Sequence, residues 1–172
     1  MSNLDKAEYY LIVDKILENP EFQRRKTFEH HGTITVYDHS LAVSKLAYKL
    51  AKLTKQDYKA AAISGLLHDF YYKPWQVKKE KNKTNKEEKK KFLEKHGFVH
   101  AREAMENSKK YFPEYMDKKV ENAILRHMFP LNKIPPKYIV GWIVTIADKC
   151  VSCEVILHPS FFKYLMFNKS RK

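Results

Sequence analysis

Glycine is scarce, at 4 residues in 172, and no Asn-Gly or Asp-Gly pair marks a tight hairpin. A fold built on β-hairpins is therefore disfavoured. Cysteine is scarcer still. Cys150 and Cys153 alone exclude a disulfide framework. With no second pair and no βαβ context, they read as small packed residues rather than a zinc or redox motif. No long hydrophobic run occurs. The longest, Ile139–Ala147, falls far short of the roughly 20 residues that span a bilayer. Met1–Asn19 is interrupted by Asp5, Glu8, Asp14 and Glu18, so it does not read as a signal peptide. The expectation is a cytoplasmic protein with no membrane partner.

Acidic residues are outnumbered, 20 against 33 Lys and Arg, which leaves a formal charge of +13. That excess suits nucleic acid, a phosphorylated metabolite or a membrane surface as an anionic partner, and does not choose among them. Composition bias alone explains it equally well. Hydrophobic residues make up 44%, which is enough for a core and excludes full disorder.

What the chain does have is helical spacing. Leu4–Glu18 is amphipathic and closes at Asn19-Pro20. Glu21–Val36 is polar and irregular. A second helix, about Asp38–Leu53, carries the stripe His39, Ala42, Val43, Leu46, Ala47, Leu50. A third runs from an Asp57 cap to Phe70. Trp75–Lys95 changes character, with nine Lys and four Glu, and reads as a charged surface insertion. A fourth helix is expected from Val99, a fifth over Glu114–Met128, and a sixth from Pro135-Pro136 to about Leu157. Residues 161–172 form a basic tail. The class is all-α: one domain over residues 1–172, a helical bundle of about six helices.

Six ionisable residues sit on or beside inward faces of these helices: His39, His68, Asp69, His100, His127 and Asp148. Taken singly, each histidine reads as an ordinary packed side chain. His39 leads an apolar stripe, and His127 continues Val120, Ala123 and Ile124. Asp148 lies inside the run Ile143-Val-Thr-Ile-Ala-Asp, where an unpaired carboxylate is expensive. Together they describe imidazoles and carboxylates converging in one bundle, which is what a divalent metal needs.

The ordered series His39, His68-Asp69, His100, His127, Asp148 resembles the HD superfamily of metal-dependent phosphohydrolases. Its flanks match as well: Tyr37-Asp-His-Ser-Leu-Ala-Val, Gly65-Leu-Leu-His-Asp and Ala147-Asp-Lys. The likeness runs from about His31 to Cys153. It implies an all-α fold and a four-residue core of His39, His68, Asp69 and Asp148. His100 and His127 are the extra pair of members that hold two metals, with Asp69 bridging. After His127 the chain reads Met-Phe-Pro-Leu and lacks the Gly-Tyr-Pro signature of cyclic-di-GMP enzymes.

The resemblance further implies cleavage of a phosphoester or phosphoanhydride of a nucleotide-like substrate by a metal-activated hydroxide, with His68 and Asp69 at the chemistry. The donor set suits two ions of iron, manganese, cobalt, nickel or zinc. His96 competes with His100 as a ligand, but Gly97 argues that the helix starts after it. His96 is then a substrate contact, as are His31, Arg126, Lys149 and Arg25. Arg24, Arg25, Lys26 and His31 precede the first ligand helix and are expected to close over the site as a lid. The alternatives to an enzyme are a basic nucleic-acid-binding module and a regulatory domain that binds a nucleotide without cleaving it.

Overall fold

Most helices begin where the sequence sets a side-chain oxygen ahead of the run. The computed structural model describes residues 3–31, 34–71 and 86–157, apart from the side chains of 29–31, 86–98 and 154–157. Helix α1 spans Asn3–Glu18. The one-turn helix α2, Pro20–Gln23, is capped by Asn19, whose Oδ1 accepts from the backbone N–H of Glu21 and Phe22. A 3₁₀ turn, Arg24–Thr27, follows. Strands β1 (Glu29–His31) and β2 (Ile34–Thr35) then pair antiparallel. Within Glu21–Val36, expected to be irregular, the described residues thus form a series of short elements.

Helix α3, Val36–Leu53, opens with a capping box. Thr35 Oγ1 accepts from Asp38 N at 3.1 Å, and the Asp38 carboxylate accepts from Thr35 N. Asp57 caps α4, Tyr58–Leu67, and Asp117 caps α6, Lys118–Arg126. Between these last two lie α5, Lys86–Tyr111, and a 3₁₀ turn, Pro113–Tyr115. Helix α7 is Ile139–Leu157.

Among the described residues six helices are longer than one turn, and the fold is all-α, as expected, apart from the short two-stranded β ribbon. Several boundaries differ from the sequence reading. Helix α3 starts at Val36, before Asp38, α4 ends at Leu67, before Phe70, and α6 covers only Lys118–Arg126 of the expected Glu114–Met128. Helix α5 begins at Lys86, inside the charged insertion, because Lys and Glu are good helix formers and one interior Gly costs only about 1 kcal/mol. Gly97 therefore does not delay the helix. Pro135-Pro136 precedes α7 rather than opening it. Of the insertion, residues 72–85 lie outside the described residues, as does the 161–172 tail.

Helix α4 is the hub. Every residue from Ala60 to Leu67 is buried, and it packs on α3, α6 and α7. Its small side chains allow close approach. A Cβ on Gly65 would lie 2.8 Å from the Ser44 Cα of α3, so only glycine fits there. Tyr9, Val13 and Ile16 of α1 close the core on one side. The other face of α7 is turned outward: Ile139, Trp142 and Ile146 are exposed. So are Cys150 and Cys153, which corrects the expectation of packed thiols. Among the described residues no helix is long and apolar enough to cross a membrane.

Candidate metal centre

Two of the histidines stand at the same place on their helices. His68 follows the last residue of α4, and His127 follows the last of α6. There the final turn leaves carbonyls without an intrahelical partner. His68 Nδ1–H donates to Gly65 O at 2.8 Å, and His127 Nδ1–H donates to Ile124 O at 2.6 Å. A carbonyl only accepts, so Nδ1 carries the proton in both rings. Each Nε2 therefore presents a lone pair.

Those lone pairs meet other basic atoms. His39, from the first turn of α3, places Nε2 3.3 Å from His68 Nε2 and 3.2 Å from Asp148 Oδ1 of α7. His68 Nε2 lies 3.5 Å from Asp69 Oδ2 and 3.8 Å from Asp148 Oδ1. On the other side, His100 of α5 and His127 bring their Nε2 atoms within 3.3 Å. They face the second oxygen of the same carboxylate, Asp69 Oδ1, at 3.1 and 3.7 Å. Asp69 thus turns Oδ2 to one histidine pair and Oδ1 to the other. His39, His68 and Asp69 form one group of converging donors, and Asp69, His100 and His127 form a second.

All six residues are buried or nearly so. Burial and the neighbouring imidazoles His68 and His100 push the His127 pKa down to about 3. Burial likewise lowers that of His68. For Asp69, burial acts upward but is outweighed by His68, His100 and His127, which hold the carboxyl well below its ordinary range. Asp148 is also held low, burial again being outweighed, here by His39 and His68. The result is that His68 and His127 favour the neutral form beside carboxylates that favour the ionised one. A cluster of lone pairs with this charge suits divalent transition metals, which take N and O donors together. The residues present fit such ions.

The proposed substrate contacts fare differently. Arg25 is fully buried. Its guanidinium bonds the Glu21 carboxylate at 2.8 Å and the Tyr71 carbonyl, and its Cζ lies 4.2 Å from the Phe70 ring centroid. It is a packing residue and not part of a lid. Lys149 is not a free rim cation either: its Nζ bonds Asp148 Oδ2 at 3.0 Å, leaving Oδ1 toward His39 and His68. Arg24 is exposed and paired with Glu21, and Arg126 is half-buried at the end of α6. His31 ends β1 and His96 lies within α5, one turn before His100, but the side chains of both fall outside the described residues. Sequence reasoning missed the two carbonyl partners, Gly65 and Ile124. Both lie three residues before a ligand candidate at a helix end, a spacing that was there to be read.

The family model described as HD domain matches residues 36–152. Among curated proteins nothing matches the chain, and among solved structures nothing does.

Proposed function

The chain belongs to the HD domain family, a superfamily of metal-dependent phosphohydrolases with an all-α fold, and from that premise we propose that it hydrolyses a phosphoester or phosphoanhydride of a nucleotide-like substrate. One observation carries the two-ion form of this reading: Asp69 gives one carboxylate oxygen to each of two histidine pairs. His39, His68, Asp69 and Asp148 would hold one divalent ion. Asp69, His100 and His127 would hold the other. Iron, manganese, cobalt, nickel and zinc suit this mixture of imidazole and carboxylate. Such ions supply Lewis acidity, activating a water and neutralising charge on a phosphoryl group.

The chain's own residues set the conditions for that chemistry. Gly65 and Ile124 fix the tautomers of His68 and His127, so no proton competes for the inward nitrogens. Lys149 takes up Asp148 Oδ2 and orients its other oxygen inward. An imidazole binds metal only through an unprotonated nitrogen, so as ligands the four histidines would be neutral and the two carboxylates would carry a formal charge of −2, less than two divalent ions bring. An occupied centre would therefore be net positive and would attract an anionic substrate. The partner proposed is a phosphorylated small molecule or nucleotide, and the unit proposed is one domain.

The test is elemental analysis of protein purified without added metal or chelator, followed by a phosphatase and nucleotide screen. About two transition-metal ions per chain and hydrolysis abolished in the His68→Ala, Asp69→Ala double variant are expected. No metal, no uptake of iron, manganese or zinc, or hydrolysis that survives the double variant would overturn the reading.

A further inference from the structure

Asp69 lies past the end of α4, in a turn rather than a helix. Its own carbonyl accepts from Tyr71 N at 2.9 Å, and Phe70 N donates to Leu67 O at 3.1 Å. The next two carbonyls, of Phe70 and Tyr71, are beyond any helical ladder and are buried. Buried carbonyls need a donor. Phe70 O receives one from Asn107 Nδ2 at 2.8 Å, and Tyr71 O receives one from Arg25.

Asn107 belongs to α5. It stands seven residues, two turns, after His100, with Ala104 between them, so all three share the inward face of one helix. The same rigid element therefore carries one ligand candidate and the clamp on the turn that carries another. The Asn107–Phe70 bond sets the register of α5 against residues 68–71. It thereby sets the separation of His100 Nε2 from Asp69 Oδ1, 3.1 Å. His39, His68 and Asp148 are carried instead by α3, the C-cap of α4 and α7.

We propose that Asn107 is a positioning residue for one half of the metal centre, holding His100 in register with Asp69 so that the second ion binds. This rests on the two-ion reading above. The consequence is selective. Loss of the Asn107 donor weakens the Asp69–His100–His127 half and spares the His39–His68–Asp69–Asp148 half.

The experiment is titration of the metal-free full chain with Mn2+, followed calorimetrically and by electron paramagnetic resonance of the coupled ion pair. Three variants are compared with the unaltered chain. Asn107→Asp keeps the shape but loses the donor, and Asn107→Leu removes both polar groups. Ser108→Ala is a control: it deletes an equally buried hydroxyl that bonds Ala104 O at 2.7 Å within α5.

The expected result is that both Asn107 variants bind the first Mn2+ as the unaltered chain does. The second should bind at least tenfold more weakly, within the range of about 10–100-fold found for groups that support metal ligands. The coupled-pair signal should fall accordingly. Ser108→Ala should change neither step. Equal weakening of both steps, or the same selective loss in Ser108→Ala, would show a merely structural role and overturn the proposal. Unchanged titrations in both Asn107 variants would overturn it too. Uptake of a single Mn2+ by the unaltered chain would refute the two-ion reading itself and the proposal with it. Should Asn107→Leu fail to fold, Asn107→Asp and the control decide alone.

Discussion

Gly65→Ala sets two opposing effects against each other. In a helix interior alanine is favoured over glycine by about 1 kcal/mol. At this position, however, the new Cβ would lie 2.8 Å from Ser44 Cα, 3.1 Å from Ser44 N and 3.3 Å from the Val43 carbonyl carbon. Carbon atoms pack best about 3.5–4.0 Å apart, so the overlap with Ser44 Cα is roughly 0.7 Å or more. The obstructing atoms are backbone of a buried helix and have no rotamer by which to escape. Overpacking costs about 1–3 kcal/mol, and against backbone that cannot move aside the cost falls in the upper part of that range, about 2–3 kcal/mol. The clash wins, and a net destabilisation of about 1–2 kcal/mol is expected. For a chain of this size that lowers Tm by roughly 2–8 °C. The assay is thermal and urea unfolding of chelator-treated protein, which removes the contribution of bound metal. Because Gly65 O also holds His68, the variant should bind metal more weakly as well. An unchanged or raised Tm, with metal uptake intact, would show that α3 and α4 are not in the close contact described.

Three further outcomes are expected. Asp69→Asn should lose both ions by elemental analysis, whereas His127→Ala should lose one. A shared loss of both in His127→Ala would contradict the division into two groups. Glu8 is held down to about 2 by Lys52, Tyr48 and Tyr58, against an ordinary value of 4.5. Its stabilising effect is therefore fully present above about pH 4.5 and is lost as the pH falls toward 2. Glu8→Gln should flatten the acid limb of the Tm–pH curve in that window, and an unaltered limb would argue against the cluster that ties α1 to α3. Both cysteines should react rapidly with a thiol reagent in the folded protein, counted by absorbance. Release of thiol only on unfolding would place them in the core.

Most helices were legible from periodicity, and Asp57 announced α4 as its cap, whereas the Thr35 and Asp117 caps of α3 and α6 went unread although their hydrogen bonds are equally local. The start of α5 was not legible. Its Lys-Glu segment has helical propensity but no apolar face, and Gly97 was weighed too heavily. Arg25 was misjudged for a related reason. Three consecutive cations read as a solvated lid, and nothing local shows that the middle one is covered by Phe70 and bound to Glu21. Asn107 carried no signal at all, because its partner is a backbone carbonyl 37 residues away.

The sequence by itself determined which residue types converge. His39 and His127 extend apolar stripes, and Asp148 interrupts one, so folding the helices inward must bury them together. Periodicity is a local property and survives reading in one dimension. How the six divide between two groups was implied by the family resemblance, but the geometry that achieves the division was decided only by tertiary structure. That division depends on the turn after α4, which points the two oxygens of Asp69 in different directions, and on the packing of α5 against that turn. Both rest on contacts between segments far apart in the chain, and such contacts leave no periodic trace in the sequence.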